Sequence, residues 1–182
     1  MTVADGRVQR GARNRDAIVD ALLACYEDGI LRPSVQEVAA RAGVSARSVH
    51  NHFTDVEALR AEVAQRQWEK YAPLVGEVAT IDELVSRRAM FFEAVTPVRR
   101  AALLSVHDSP TIARNLGRLD RALRQQLEAV FFEYDTEVID AIELITSWDA
   151  WNRLRTAQAC SVARARAIVE RTIRSITEGN NQ

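Results

Sequence analysis

The sequence predicts an all-α protein of about nine helices, and three observations carry that expectation. Nothing in the chain reads as a strand. Apolar residues recur at three- and four-residue spacing, most plainly through Ile112, Leu116, Leu119, Leu123, Leu127, Val130 and Tyr134. Helix-start signals, a Ser or Thr followed three residues later by Glu, stand at Ser34/Glu37, Thr54/Glu57 and Thr80/Glu83. At 182 residues and 47% hydrophobic content the chain can bury a sizeable core.

Residues 1–12 read as a flexible arm. A first helix is expected over 13–28, burying Ile18, Ala21, Leu22 and Cys25 and stopped by Gly29. Ser34 caps a short helix over 34–42 whose Val35, Val38, Ala39 and Ala42 share one face. Gly43 can take the left-handed conformation that ends it, and Ser45 can cap the next, over 46–52. A long helix follows over 55–72, ended by Pro73. Thr80 opens another with Leu84, Phe91 and Val95 along a stripe, and Pro97 starts a short one ending near His107. Ser109-Pro110 begins the next, with proline at the first helical position. After Asp135-Thr136 a helix of about twenty residues carries Val138, Ile142, Ile145, Trp148 and Trp151. Ser161 caps the last, which carries Val162, Ala165, Ile168, Val169, Thr172, Ile173 and Ile176.

Charge narrows the function. With 24 basic and 25 acidic residues the net charge is −1, which argues against a general coat for nucleic acid. Its distribution is uneven. Residues 1–15 carry Arg7, Arg10, Arg13 and Arg15 against Asp5, and residues 43–53 carry Arg47, His50 and His52 with no acid. Positive charge thus sits on the arm and the second short helix, where phosphate binding would need it. Cys25 and Cys160 make no CxxC or metal-ligand spacing and read as buried, reduced thiols, so no metal site is expected. The three histidines build no catalytic constellation, and no glycine-rich phosphate loop or cofactor motif is present. No apolar run approaches the ~20 residues of a membrane span, and the N-terminus lacks an apolar signal core. A soluble, cytoplasmic chain that is not an enzyme is expected.

Two short helices joined by one glycine, the second polar outside, have the layout of a helix-turn-helix, whose second helix enters the DNA major groove. On that helix Val44, Val49 and Phe53 should face inward, leaving Arg47, Ser48 and Asn51 outward. Arg47 can pair with both guanine acceptors, Asn51 with adenine or a phosphate, and Ser48 with either base or phosphate. His50 and His52 suit the DNA backbone. Arg10 and Arg13 can reach DNA from the arm, and Ser34 can either donate to a phosphate or serve only as a cap. A solvated helix face remains the alternative for these polar residues.

A short helix-turn-helix after one helix, followed by a long helix and an all-helical remainder, resembles a TetR-family transcriptional regulator. The resemblance is concentrated in residues 13–60, through Ile18, Ala21, Gly29, Ser34-Val35, Val38-Ala39, Ala42-Gly43-Val44-Ser45, His52-Phe53 and Leu59. Ser147-Trp148-Asp149-Ala150-Trp151-Asn152-Arg153-Leu154-Arg155 also resembles the penultimate helix of some members. The resemblance implies a homodimer that represses transcription and leaves a double-stranded DNA operator when a small-molecule effector binds. It implies a DNA-binding domain over 1–54 and an effector-binding and dimerisation domain over 55–182. Two residues depart from the family pattern: His50 stands where tyrosine is usual, and Val56 where a phosphate-contacting lysine is usual.

Trp68, Phe91, Phe92, His107, Phe131, Phe132, Trp148 and Trp151 are candidates for an effector pocket between helices. The aromatic residues fit core or dimer interface as well, and His107 a helix end. The last two helices are apolar on more than one side and are expected to pair with their copies through Val162, Ala165, Val169 and Ile173. Two other function classes stay open: an all-helical enzyme or carrier, and a helical interaction protein without a ligand.

Overall fold

The structure is a computed structural model that describes residues 3–179. Its described residues form nine helices and no strand: α1 (Val3–Glu27), α2 (Val35–Ala42), α3 (Ala46–His52), α4 (Val56–Val75), α5 (Ile81–Leu103), α6 (Pro110–Val130), α7 (Thr136–Ile145), α8 (Trp148–Arg155) and α9 (Val162–Gly179). The all-α expectation holds. The number nine is reached by a different division of the chain, because two errors offset each other.

Pro97 does not start a helix; α5 runs through it to Leu103. A proline there removes one backbone hydrogen bond and crowds the preceding turn. The turn before it is braced: the Thr96 hydroxyl donates to the Phe92 carbonyl at 2.5 Å and accepts from Trp148 Nε1 at 3.0 Å. Conversely, the expected twenty-residue helix is broken at Thr146-Ser147. Ser147 turns extended (φ −73°, ψ 160°) and its hydroxyl accepts from the Ala150 N–H at 3.1 Å, so it caps α8. Proline also fails as a stop at Pro73, which lies inside α4. The arm expected over 1–12 is helical from Val3, while residues 1–2 lie outside the described residues. Its two glycines cost a helix about 1 kcal/mol each, which its alanine, arginine and glutamine offset in part.

The chain divides into two compact units. The first comprises residues up to 70 with 97–116, and the second 71–96 with 117 onward. In the first, Ile18, Val19, Leu22 and Cys25 of α1 pack with Val38, Ala39, Val49, Phe53 and Leu59, all buried. This core holds the two short helices, which are too short to be stable by themselves. The join between them is fixed by Gly43, at φ 67°, with the Val44 N–H bonded to the Ala39 carbonyl at 3.0 Å.

In the second unit Leu84, Phe91, Phe92, Leu127, Ile142, Trp151, Ala165 and Ile173 are buried. Its centre also holds a guanidinium. Arg88, 4% exposed, donates to Gln126 Oε1 (3.2 Å), the Leu123 carbonyl (2.6 Å), and the carbonyl and hydroxyl of Thr146 (3.0 and 2.6 Å). Burial pulls its pKa down to about 10, which leaves it charged at neutral pH.

A Cβ at position 43 would meet no heavy atom within 4 Å, so Gly43→Ala tests backbone strain alone. We expect a loss of ~1–2 kcal/mol in urea unfolding, the cost of the left-handed conformation for alanine.

Candidate nucleic-acid interface

The helix-turn-helix is built by its caps. At Ser34 both halves of the capping box form: the Glu37 N–H donates to the Ser34 hydroxyl at 3.2 Å, and the Ser34 N–H to the Glu37 carboxylate at 2.7 Å. Those bonds hold the Glu37 carboxyl below the usual carboxylate range. Ser45 caps α3 by accepting from the Ser48 N–H at 3.2 Å. Val49 and Phe53 are buried beneath α3, whereas Val44 is only half-buried. Arg47, His50 and Asn51 are exposed on its outer side, and Ser48 is half-buried.

The remaining sequence candidates fall differently. His52 is half-buried, its Cε1 4.0 Å from where a Cβ on Gly11 would stand, so its ring lies against α1. The Ser34 hydroxyl donates to Glu37 Oε2 at 2.7 Å and is engaged in its cap. Arg10 and Arg13 are exposed, on helix α1 and not on an arm, and Arg13 Nε reaches the Gln9 carbonyl at 3.4 Å.

Sequence reasoning missed the group that holds α3 in place. Arg15 Nη1 donates to the His52 carbonyl at 2.7 Å, its guanidinium carbon sits 4.2 Å from the centre of the Phe53 ring, and its Nε donates to both Glu62 oxygens (2.9 and 3.1 Å). Arg15 Nη2 pairs with Glu62 as well. A cation at a helix C-terminus also complements the helix dipole. No local pattern reveals this contact, since its partners lie 37 and 47 residues away.

Further pairs tie α1 to α4. Arg66 bonds Asp16 (3.1 Å) and Asp20, and Lys70 bonds Glu27 (2.6 Å). The box expected at Thr54/Glu57 does not form; the Glu57 N–H bonds Asp55 Oδ1 at 2.9 Å instead. The Glu57 carboxylate accepts from Arg60 (2.7 Å), the Ser109 hydroxyl (2.9 Å) and the Thr111 N–H (3.3 Å), at the start of α6. Arg60 first, then Ser109 and Thr111, hold its pKa down to about 2.

Of the expected effector residues, Phe91, Phe92 and Trp151 come together in the second unit, with ring centres 5.5 and 6.4 Å apart. Trp148 is engaged by Thr96, and Phe131 stacks edge-on against Tyr134. These five aromatics are buried; Phe132 is exposed. Trp68 is half-buried and His107 exposed, both in the first unit. Ala165, Val169 and Ile173 are buried in the chain's own core, so they are not on a surface that a partner subunit could meet; Val162 is half-buried. Buried side chains spaced four apart are what α9 needs to pack on its own unit. Among the described residues no group of three or more His, Cys, Asp or Glu side chains is placed to hold a metal, and no helix is long and apolar enough to cross a membrane. Cys25 and Cys160 are free and buried.

Residues 18–63 match the family model described as bacterial regulatory proteins, tetR family. The match covers the helix-turn-helix and the helices beside it, about a quarter of the chain. That match supports a DNA-binding transcriptional regulator. Its fold is similar to that of a TetR-family regulator from Streptomyces coelicolor (TM-score 0.68, 14% identity, 89% of this chain and 80% of that one). It is also similar to one from Mesorhizobium loti (TM-score 0.66, 16% identity, 92% and 96%). A third similar fold is the multidrug binding protein EbrR, solved with imidazole (TM-score 0.63, 20% identity, 87% and 94%). At these identities the likeness is one of fold. No curated protein matches the chain by sequence.

Two outcomes follow from these contacts. Arg15→Met keeps apolar contact with Phe53 but loses the ionic and backbone bonds; it should weaken operator binding about tenfold (~1.4 kcal/mol) with the helical circular dichroism retained. Because the Glu57 pKa is depressed in the fold, its contribution to stability is complete above about 4.5 and lost as pH falls toward 2. The difference in urea midpoint between wild type and Glu57→Gln should therefore shrink between pH 5 and pH 2.5.

Proposed function

We propose that the chain is a homodimeric repressor that reads a palindromic operator and leaves it when a small molecule binds. The observation that carries the reading is α3 itself. Its exposed side holds Arg47, His50 and Asn51 with no carboxylate of its own, and its inner side is anchored by Val49, Phe53 and Arg15. That arrangement presents base-reading groups on a fixed helix. Arg47 reads guanine and Asn51 adenine; His50, Ser48, Arg10 and Arg13 meet the DNA backbone. Residues 1–54 form the DNA-binding domain, and 55–182 carry the effector and dimer functions.

Two copies are needed to place two recognition helices one DNA turn apart, ~34–36 Å. With Ala165, Val169 and Ile173 turned inward, the face left for pairing on α9 includes Val162 and Ile168, both half-buried. The similar fold of a multidrug binding protein supports control by a small molecule. Residues placed for catalysis are not part of this reading, and the regulator works in the cytoplasm.

Selection of bound sequences from random DNA should return a palindrome, and sedimentation should give a dimer. Arg47→Ala should lose about 1–3 kcal/mol of affinity and relax preference at one base pair per half-site. A selected sequence without two-fold symmetry, or full affinity in that variant, would overturn the reading.

A further inference from the structure

Two neighbouring helices of the second unit present opposite charges that the chain itself leaves unused. Helix α9 buries Ala165, Val169, Ile173 and Thr177. Its opposite side presents Arg164, Ala167, Arg171 and Arg174, all exposed and, at helical spacing, within about 80° of one another. None of the three arginines makes a side-chain bond to another described residue. Glu178, at the far end of that face, is exposed and bonds none of them. Arg166, nearer the core, is by contrast taken up by Ser86, Asp82 and Glu170.

Helix α7 packs on α9 and buries Val138, Ile139 and Ile142. Its other side presents Glu137, Asp140 and Leu144. Arg124 takes Asp140 at 2.5 Å, but Glu137, and Glu133 just before the helix, pair with no described residue. Leu144, on the line of Glu137, is 74% exposed. Because the helices pack together and each buries its inner side, the acidic and basic faces lie next to each other.

A second copy of the chain supplies the missing partners in one arrangement only. Setting α9 on α9 places arginine against arginine, and α7 on α7 places carboxylate against carboxylate, both unfavourable. Setting α7 of each copy on α9 of the other matches charge in both contacts. A two-fold axis makes those contacts together, since residue i then meets j and j meets i. The lengths fit: Arg164 to Arg171 spans ~10 Å, within the ~15 Å of α7. Between the arginines Ala167 leaves the helix open to approach, and Leu144 brings apolar surface to bury there. Each exposed ion pair adds little affinity by itself. Their joint effect is to decide which faces meet.

The geometry points to a crosswise, salt-sensitive dimer contact: the Glu133/Glu137 face of α7 pairs with the Arg164/Arg171/Arg174 face of α9 in a second copy. The inference rests on the homodimer reading and names the surface that reading leaves open. Sedimentation of the full chain without DNA tests it. Raising NaCl from about 50 to about 500 mM should weaken the dimer roughly tenfold, because exposed pairs are screened. Two variants reverse one face each: Arg164→Glu with Arg171→Glu, and Glu133→Arg with Glu137→Arg. Each should lose about tenfold or more in self-association, since both contacts then repel. Mixed together, the two variants should associate at near wild-type strength, because every face again meets its opposite. All four positions are exposed, and circular dichroism checks that the variants fold. The wild-type salt series stands whether or not they do. A dimer indifferent to salt and to both reversals would overturn the contact and leave the homodimer reading intact. A monomer at every salt concentration would overturn both. If reversing α9 abolished retention on heparin and left the dimer unchanged, the arginines would serve a polyanion and the contact would fall.

Discussion

Arg15 is the side chain on which the DNA-reading unit depends. The recognition helix α3 has seven residues, fewer than two full turns, and such a helix has no independent stability. Its position comes from its neighbours: Val49 and Phe53 press it inward, and Arg15 fixes its end. The pair with Glu62 would contribute little as an isolated surface salt bridge, with both side chains more than a third exposed. Its value lies in what the guanidinium does at the same time. One group receives α4 through a carboxylate, closes α3 through a backbone carbonyl and covers an aromatic ring, so α1, α3 and α4 cannot shift independently. Base reading requires that rigidity, because bidentate hydrogen bonds tolerate little displacement.

The second unit solves a related problem with a different balance. Arg88 is buried without a carboxylate bonded to it; its acceptors are two carbonyls, an amide and a hydroxyl. Burying a charge is costly, and the lowered pKa records that cost. What the guanidinium gives in return is position. Thr146 lies at the break between α7 and α8, and Arg88 bonds both its carbonyl and its hydroxyl. Gln126, held by Arg88, in turn donates to the carbonyls of Val75 and Gly76 at 2.8 Å, where α4 ends. One chain break and one helix end are thus tied to one buried cation, which explains why a polar group stands amid Leu and Phe.

How much was legible follows from the range of each interaction. Contacts spanning three or four residues were read correctly: the Ser34/Glu37 box, the left-handed Gly43 and the Ser45 cap all stand as expected. Signals that depend on competition were misread. Thr54/Glu57 has the spacing of a capping box, but Arg60, Ser109 and Thr111 claim the carboxylate. Pro97 looks like a helix start, yet packing around Thr96 and Trp148 carries α5 through it. Thr146-Ser147 looks helical by periodicity, and the break there depends on a hydroxyl cap and a guanidinium that arrives from 58 residues away. Arg15 was counted in the sequence only as positive charge near the N-terminus.

The aromatic residues of the second unit illustrate why composition alone misplaces a ligand. Large rings raise the expectation of a pocket, but a ring's first use is to fill volume, and Phe91, Phe92 and Trp151 fill it almost completely. A binding site needs unfilled space and hydrogen-bond groups not consumed by the fold. Unfilled space has no sequence signature, because what defines it is the volume that side chains do not occupy.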